Sequence, residues 1–329
     1  MSIVFDIATS VEFWRKEYPL NRAPASPQIC APSDCASSKA ELLDLAPRWA
    51  LNLLRDGAEK LSLLVFDNSV RERSSVHQTY SWSGPIPEGS FYELKPSVFI
   101  ESPAFMFLHA ASILSFEQLI AFGDELCGLY SFSEQEKRGF RQREVPLITT
   151  EQLRRYLDGA AGCTGRKAAI RALPFVVDRS ASPMETFDEM TMCLPYRLGG
   201  YGMPEFQMNA EVPLTPRAAR IARRSSCRLD MGNIDALLDV EHDGKLDHST
   251  DEDKDSDRDR VNGLKEMGFE VIELTRHEVG DLFVYETIIE RIARILGKRI
   301  HASKKGATPE RLRLRKEIAD WNRSSGKIR

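Results

Sequence analysis

The chain has 329 residues, of which 42% are hydrophobic and 29% charged, and its formal net charge at pH 7 is −4. These proportions are typical of a globular protein and exclude an intrinsically disordered chain. At about 100–200 residues per domain, the length predicts two domains. No run approaches the roughly 20 apolar residues that span a bilayer, and the first residues lack the basic segment and apolar core of a signal peptide. We therefore expect a cytoplasmic protein with no membrane partner.

Charge is segregated along the chain. Residues 298–329 contain 11 Lys and Arg against 3 Asp and Glu, whereas residues 241–260 contain 9 acidic against 4 basic residues. The cysteines are widely spaced, without a CxxC pair: Cys30, Cys35, Cys127, Cys163, Cys193 and Cys227. This spacing excludes a zinc knuckle and predicts reduced, mostly buried thiols.

The first predicted domain, residues 1–178, is mostly helical (α+β). Apolar residues recur at helical spacing in five segments: 38–54, 103–114, 116–129, 149–157 and 165–177. Short apolar or alternating runs predict strands at 61–66, 77–82 and 97–100. This domain has no catalytic motif, so we expect it to recognise a target or a protein partner.

The second predicted domain, residues 179–297, is an α/β unit with a small mixed sheet flanked by helices. Helices are predicted at 183–193, 254–267 and 281–296, and strands at 206–212, 227–230, 237–241 and 269–274. Gly268 stands where a helix C-cap is expected, and Asp281 is a suitable N-cap. The remaining residues, 298–329, form a basic tail that is either poorly ordered or an exposed helix over 309–321.

Acidic residues are concentrated where one predicted strand of the second domain ends. Residues 238–248 read LDVEHDGKLDH, so an apolar run is followed by Glu241 and Asp243. Asp230 ends the short sequence CRLD, and Glu185 follows SPM at a predicted helix start. Carboxylate oxygens bunched at a strand end are suitable ligands for a divalent metal ion.

The strand register decides whether these acids meet. If the chain reverses around residues 233–236, Asp230 and Glu241 become cross-strand neighbours with Cβ atoms about 5 Å apart. If Gly232 and Asn233 instead form a two-residue hairpin turn, Asp230 faces Asp235 and Glu241 lies about 20 Å away. The sequence leaves both registers open.

Three features of the acidic region also have simpler interpretations. Glu185 with Ser182 and Pro183 fits a helix capping box. Asp243 and the glycine after it fit a turn. Residues 247–259 do not fit a calcium-binding loop, because Ser256 stands where a glycine is required, so they are interpreted as a solvated loop leading into a helix.

Arginines precede the acidic strand. Residues 217–228 contain five arginines and no acid, and the candidates for phosphate contact are Arg220, Arg223, Arg224 and Arg228, together with Arg260 further along. Such a stretch neutralises phosphates, and binding through it weakens steeply with salt. It indicates a partner with phosphate groups, such as a nucleic acid.

The order SPMET, CRLD, DVEHDGKLDH, then Asp257 and Arg260 before FEVIELT resembles the endonuclease-like domains related to very-short-patch-repair nucleases. These domains are a branch of the PD-(D/E)XK, restriction-endonuclease-like fold, and the resemblance covers residues 180–296. The N-terminal part, with SVEFWR and SPAFMFLHAASIL, resembles proteins of the abortive-infection antitoxin type.

The resemblance implies a Mg²⁺-dependent or Mn²⁺-dependent nuclease acting on DNA, in phage defence or toxin–antitoxin regulation. It implies that Asp230 and Glu241 bind the metal with Asp243 as a further acid, that Glu185 is the acid of the first helix, and that His248 helps to activate water or to neutralise the leaving phosphate. The fold family has a lysine two residues after the strand acid, where this chain has Asp243. The alternative is therefore a non-catalytic DNA-binding regulator or antitoxin that keeps the nuclease fold.

Overall fold

The computed structural model describes residues 2–19, 39–55, 60–67, 69, 73–243, 251–300 and 307–328, with the backbone alone at 243 and 251–254. The chain forms two compact units. Unit 1 comprises Met1–Asp178 and Asp320–Arg329, and unit 2 comprises Arg179–Ala319. The division between residues 178 and 179 falls at the boundary predicted from the sequence.

Unit 1 contains seven strands and seven helices within its described residues. The strands are β1 (Ile3–Phe5), β2 (Leu61–Val65), β3 (His77–Ser81), β4 (Phe91–Lys95), β5 (Val98–Glu101), β6 (Tyr130–Phe132) and β7 (Phe140–Gln142). The helices are α1 (Ile7–Lys16), α2 (Lys39–Leu45), α3 (Arg48–Arg55), α4 (Pro103–Ala110), α5 (Phe116–Cys127), α6 (Thr150–Gly159) and α7 (Arg166–Ala172).

A five-stranded sheet in the order β3-β2-β1-β5-β4 forms the centre of unit 1. β1 runs parallel to β5 and antiparallel to β2, and every residue of β1, β2 and β5 is buried, as in sheets covered on both faces. The sequence predicted β2, β3 and β5 but missed β1 and β4. β1 has only three residues, which is too short for a periodic pattern.

Side-chain caps explain where several helices of unit 1 begin. Ser102 accepts a hydrogen bond from the backbone of Phe105 at 3.1 Å and starts α4. Ser115 with Gln118 starts α5, and Thr149 with Gln152 starts α6, each as a reciprocal capping box. Caps of this kind satisfy backbone N–H groups that have no partner inside the helix.

Unit 2 contains a four-stranded mixed sheet flanked by helices. Its strands are β8 (Gln207–Pro213), β9 (Ser226–Asn233), β10 (Leu238–Asp243) and β11 (Glu270–Thr275), and their order in the sheet is β11-β10-β9-β8. β10 is parallel to β11 and antiparallel to β9, which is antiparallel to β8. The helices of unit 2 are α8 (Pro183–Cys193), α9 (Pro216–Ala222), α10 (Asp251–Glu266), α11 (Arg276–Gly280) and α12 (Leu282–Ile295). A further helix, α13 (Pro309–Arg323), begins in this unit. The predicted α/β order is confirmed, with α9 and α11 as additions.

The helices α9 and α10 pack closely over one part of this sheet. Their core contains Val212, Ala222, Cys227, Leu229, Leu264 and Phe269. Gly263 permits the close approach, because a Cβ at that position would lie 2.6 Å from the Cβ of Ala222. The apolar contact therefore holds α10 beside the ends of β9 and β10.

Of the two alternatives for the basic tail, the helix over residues 309–321 is the one found, as α13, but it is not an exposed helix. Leu314 and Ile318 are fully buried. Arg311 donates to Glu286 at 2.8 Å and stacks over the Tyr201 ring at 3.9 Å. Apolar burial and internal pairing thus hold this helix against the rest of unit 2; Lys304 and Lys305 lie outside the described residues.

Two further expectations concern the whole chain. Within the described ranges, no helix combines the length and apolar character needed to cross a membrane. Cys127, Cys163 and Cys227 are buried free thiols, and Cys193 is a partly buried one. Cys30 and Cys35 lie outside the described residues.

Candidate functional site

The turn between β9 and β10 sets the register of the acidic strand. Asn233 Oδ1 accepts a hydrogen bond from the backbone N–H of Ala236 at 3.0 Å, and Leu237 has a left-handed φ of 50°. Leu238 then pairs with Asn233, and Val240 with Met231. The register with a chain reversal after residue 233 is therefore the one adopted, and the alternative hairpin turn at residues 232–233 is wrong, since both residues belong to β9.

Three polar residues fall in one row across the sheet. Extending the register of the pairs Leu238–Asn233 and Val240–Met231 by one position puts Glu241 opposite Asp230. On the other side of β9, the pairs Met208–Met231 and Ala210–Leu229 leave Asn209 opposite Asp230. We call Asn209, Asp230 and Glu241 the polar row. It places two carboxylates at adjacent positions on neighbouring strands.

Asp230 is a largely buried acid whose ionisation is opposed by its surroundings. Burial, followed by the charge of Glu241, raises its pKa to about 6. The positive charges of Arg260 and Arg228 and a hydrogen bond from the backbone N–H of His242 oppose this shift. A carboxylate in such a position is stabilised by an added cation.

Glu241 is held by an arginine from α10. Nη2 of Arg260 donates to Oε2 of Glu241 at 2.6 Å, and the same nitrogen lies 3.2 Å from Asp257. The other carboxylate oxygen of Glu241 is buried and receives no hydrogen bond from the described residues. Glu241 therefore has one oxygen paired with Arg260 and a second whose only neighbouring donor among the described residues is the carboxyl group of Asp239 in its protonated form.

Asp239 adds a fully buried carboxyl group next to Glu241. Both of its oxygens lack a hydrogen-bond partner among the described residues. Burial, followed by the charge of Glu241, raises the pKa of Asp239 to about 9, so the group is neutral at pH 7. In that form it has an O–H that can donate to Glu241.

Glu185 lies in the first turn of α8, and its side chain contacts Asn209 of the polar row. Ser182 caps α8 by accepting from the backbone N–H of Glu185 at 3.1 Å, as the capping interpretation expects. The Glu185 carboxylate accepts from the backbone of Ala181 at 2.8 Å and from Nδ2 of Asn209 at 2.7 Å. Burial, followed by the charge of Asp230, raises the pKa of Glu185 to about 7.

A buried network that the sequence interpretation missed fixes β10 against two helices. Nδ1 of His242 lies 2.8 Å from Oδ2 of Asp188, and the Tyr285 hydroxyl donates to Oδ1 of Asp188 at 3.3 Å. Asp188 follows Glu185 by three residues on α8, a spacing that places both on one side of a helix. Because His242 also donates its backbone N–H to Asp230, the network positions the polar row.

A cleft of about 580 Å³ opens at the polar row. Its lining consists of Arg179, Asn209, Glu211, Arg224, Ser226, Arg228, Asp230 and Arg260. Four guanidinium groups thus face two carboxylates in one concave surface. This composition favours an anionic ligand, because arginine pairs strongly with phosphate oxygens.

The predicted phosphate-binding arginines divide into two groups. Arg224, Arg228 and Arg260 line the cleft, whereas Arg220 and Arg223 do not contribute to its lining. Arg220 is exposed on α9, and Arg223 pairs with Asp259 at 3.2 Å. The arginines of this stretch therefore lie on different surfaces. Arg220 of α9 is exposed away from the cleft lining, whereas Arg228 of β9 lines the cleft.

Arg179 and Asn209 are cleft residues that the sequence interpretation missed. Both are non-glycine residues with left-handed φ, 73° at Arg179 and 49° at Asn209, and Nδ2 of Asn209 donates to the Arg179 carbonyl at 2.9 Å. Strained backbone of this kind is often retained at functional sites. The available signal was an asparagine inside an apolar strand, since asparagine is disfavoured in strands but tolerates the left-handed region.

Two predicted site residues are described only in part or not at all. Asp243 pairs with Thr275 through its backbone on β10, but its side chain and the whole of His248 lie outside the described residues. Elsewhere in the described chain, one set of three metal-type side chains has donor atoms all within 4.8 Å of one another, namely Asp6, Glu101 and His109 in unit 1. This buried group could hold a metal ion.

The donor set at the polar row fits a divalent cation held by two carboxylates. Mg²⁺ in phosphate-processing sites is commonly bound by one or two carboxylates, with water and substrate oxygens completing its coordination. The buried oxygen of Glu241 that lacks a hydrogen-bond donor and the raised pKa of Asp230 both favour an added positive charge there. Comparison of the chain with protein-family models, curated proteins and solved structures found no match in any of the three.

Proposed function

We propose that unit 2 is a Mg²⁺-dependent endonuclease with a restriction-endonuclease-like fold that hydrolyses DNA phosphodiesters. The observation that carries the proposal is the register that sets Asp230 opposite Glu241 at the edge of an arginine-lined cleft. The order of strands and helices and the motifs that resemble very-short-patch-repair-related domains support the same reading. Mn²⁺ is expected to replace Mg²⁺, since both accept carboxylate and water oxygens.

In this proposal each residue of the polar row has a separate task. Asp230 and Glu241 bind the ion, which when bound supplies charge stabilisation at the phosphate and a water that loses its proton near neutral pH. Asn209 holds the Glu185 carboxylate at 2.7 Å and so keeps a proton-binding group beside the row. Asp243 and His248 are proposed to complete the acidic edge and to assist proton transfer.

The cleft arginines supply substrate binding. Arg179, Arg224 and Arg228 lie around Asp230 in the cleft lining, and Arg228 is exposed. Guanidinium groups on a concave surface position phosphates without reading base sequence. DNA is therefore proposed to bind along the cleft with one phosphate next to the carboxylate pair.

A plasmid-nicking assay tests the proposal. The full chain is expected to nick supercoiled DNA with Mg²⁺ and not with EDTA, and Asp230→Asn and Glu241→Gln are each expected to reduce the rate by about 100-fold or more, since even the residues that support metal ligands contribute about 10–100-fold. Glu270→Gln is the matched control, because Glu270 is a 40% exposed carboxylate on β11 paired with Arg291. Nicking that survives both substitutions would remove the proposed centre.

A second candidate function is a DNA-binding regulator or antitoxin that keeps this fold without turnover. The observation that favours it is the Arg260–Glu241 ion pair at 2.6 Å, which neutralises one carboxylate of the row from within the protein. This second candidate function predicts DNA binding that depends on salt but is equally strong with Mg²⁺ and with EDTA. It also predicts that the chain does not nick DNA. In either case unit 1 is proposed to select the target or to bind a protein partner in a defence or toxin–antitoxin setting.

A further inference from the structure

Unit 1 contains a buried group of three metal-type ligands that is separate from the polar row. Asp6 lies directly before α1, Glu101 is the last residue of β5, and His109 lies on α4. Nδ1 of His109 is 2.9 Å from Oε1 of Glu101 and 3.8 Å from Oδ1 of Asp6. The three residues are 4%, 0% and 8% exposed.

The topology of the sheet brings the two acids together. β1 and β5 are parallel neighbours with Phe5 opposite Ile100, so the next residues along these strands, Asp6 and Glu101, stand at the same edge. Ligands of α/β proteins commonly bind outside the carboxyl ends of parallel strands, because the chain leaves the sheet there and exposes side chains to one another. Asp6 and Glu101 occupy that kind of position.

The two carboxylates are incompletely satisfied. Oδ1 of Asp6, the atom that faces His109, accepts no hydrogen bond from the described residues, and neither does Oε2 of Glu101. Buried carboxylate oxygens without a donor are costly and call for a cation. A protonated His109 supplies one positive charge for two carboxylates. A divalent ion that displaces the Nδ1 proton to solvent would balance both carboxylates beside a neutral imidazole.

The surroundings hold the ligands in place. The backbone N–H of Glu101 donates to Ser10 Oγ at 3.0 Å, and its carbonyl accepts from the Trp14 indole at 2.9 Å. The His109 ring packs edge-on against Trp82 with 5.3 Å between centroids. The hydrogen bonds of Glu101 and the ring contact of His109 hold these two residues in place without an ion. Ligands that are already oriented favour selective metal binding.

We propose that Asp6, Glu101 and His109 bind one first-row divalent transition metal ion, with Zn²⁺ as the probe, in a closed structural site. Around an ion with bonds of about 2.0–2.2 Å, neighbouring ligand atoms lie about 3.0–3.5 Å apart, and the two distances at Nδ1 of His109, 2.9 and 3.8 Å, bracket this range. Glu101 can bind through both oxygens, which completes four donors. The imidazole favours a transition metal over Mg²⁺ or Ca²⁺, which prefer oxygen ligands alone.

The ion would connect the start of α1, the end of β5 and α4. β5 and α4 are consecutive in the chain, and α1 directly follows β1, the parallel neighbour of β5. The burial of all three ligands leaves no exchangeable position for a substrate. Open coordination positions distinguish catalytic from structural metal sites. The proposed ion therefore stabilises the fold of unit 1 and takes no part in the chemistry proposed for unit 2.

The test measures Zn²⁺ binding to the full chain after EDTA treatment and desalting. Isothermal titration and elemental analysis are applied to the wild type and to the double variant Asp230→Asn, Glu241→Gln, which lacks the carboxylates of the polar row. The double variant is expected to bind one Zn²⁺ per chain and the wild type at least one, and both are expected to melt at a higher temperature with Zn²⁺ than with EDTA. His109→Gln is expected to weaken Zn²⁺ binding by at least about 100-fold, whereas His277→Gln, which changes an exposed histidine of unit 2, is the matched control and retains it.

A spectroscopic measurement keeps the proposal falsifiable if His109→Gln does not fold. Co²⁺ added to the double variant is expected to give an intense visible absorption band, typical of four-coordinate nitrogen and oxygen ligation, and Asp6→Asn is expected to weaken Co²⁺ binding. Absence of a Zn²⁺ complex at micromolar concentration in the double variant overturns the proposal. So does a folded His109→Gln chain with unchanged affinity, or a Co²⁺ spectrum of the hexa-aquo ion alone.

Discussion

Arg260 and Glu241 form a largely buried ion pair, in which Nη2 of the arginine donates to Oε2 of the glutamate at 2.6 Å. The guanidinium belongs to α10 and lines the cleft, and the carboxylate belongs to β10. Arg260 therefore supplies, in the metal-free protein, part of the positive charge that a cation would supply. Competition between these two sources of charge gives the first prediction.

Arg260→Gln is expected to lower the free energy of unfolding of the metal-free protein by about 2 kcal/mol, because Glu241 loses a charged hydrogen bond in a buried setting. Mg²⁺ is expected to stabilise this variant more than it stabilises the wild type. Urea denaturation with EDTA and with Mg²⁺ measures both effects. Arg258→Gln, which breaks an exposed pair with Asp255, is the control and should change stability by less than about 0.5 kcal/mol; an equal Mg²⁺ effect in wild type and Arg260→Gln would contradict the proposed competition.

Glu185 is expected to make metal-free stability fall as pH rises. Its pKa is about 7 in the folded chain against an ordinary value of 4.5, so the folded state binds the proton more tightly, and this contribution is complete below pH 4.5 and is lost as pH rises through 7. Glu185→Gln removes this contribution. Relative to the wild type, the free energy of unfolding of the variant should therefore rise by on the order of 2 kcal/mol between pH 4.5 and pH 8. Urea denaturation in EDTA across this range measures the difference, and the exposed Glu270→Gln should show none.

Asp239→Asn is expected to be tolerated. The pKa of Asp239 is about 9 in the folded chain against an ordinary 3.8, so its stabilising contribution is complete below pH 3.8 and is progressively lost as pH rises towards 9. An amide is neutral throughout and keeps a donor for Glu241. The variant should therefore equal or exceed the wild type in unfolding free energy at pH 7 and gain further by pH 9, as measured by chemical denaturation with EDTA. A variant whose deficit grows with pH would show that Asp239 is ionised in the folded protein.

Arg228→Ala is expected to weaken DNA binding uniformly across sequences and to lower the slope of log affinity against log salt by about 1. The reason is that Arg228 is an exposed residue of the cleft lining and would neutralise one phosphate. Fluorescence anisotropy with labelled duplexes at several salt concentrations measures the slope. Arg294→Ala, an exposed arginine of α12, is the control, and an unchanged slope in Arg228→Ala would exclude a phosphate contact at the cleft.

Local sequence signals predicted most elements of unit 2. Ser182 and Pro183 mark the start of α8, Asp281 caps α12 by accepting from the backbone of Phe283 and Val284 at 3.0 and 3.2 Å, and Gly268 adopts a φ of 91° beyond the end of α10. These preferences act within four residues and need no partner from elsewhere in the chain. β1 was missed because three residues are too few to carry a pattern. β4 was missed because it is an edge strand whose last three residues are exposed, so its sequence lacks the alternation of a half-buried strand.

The candidate site was predictable only as a set of alternatives. The sequence allowed two registers for Asp230 and Glu241, and the hydrogen bond from Ala236 to Asn233 accompanies the one that brings them together. Asn209 could not be placed in the row, because its position depends on β8 pairing with β9 at Met208–Met231 and Ala210–Leu229. Asp188 has no sequence signal of its own, because its contact with His242 joins residues 54 positions apart.

The sequence by itself determined the helix starts, the α/β order of unit 2 and the short list of acidic and basic residues, because capping, periodicity and charge are properties of neighbouring positions. Only the tertiary structure decided which residues meet: Arg260 with Glu241, and Asp6 with Glu101 and His109 from distant parts of the chain. Such contacts follow from strand order and from apolar packing between distant segments, and many arrangements of the same elements satisfy the local preferences equally well.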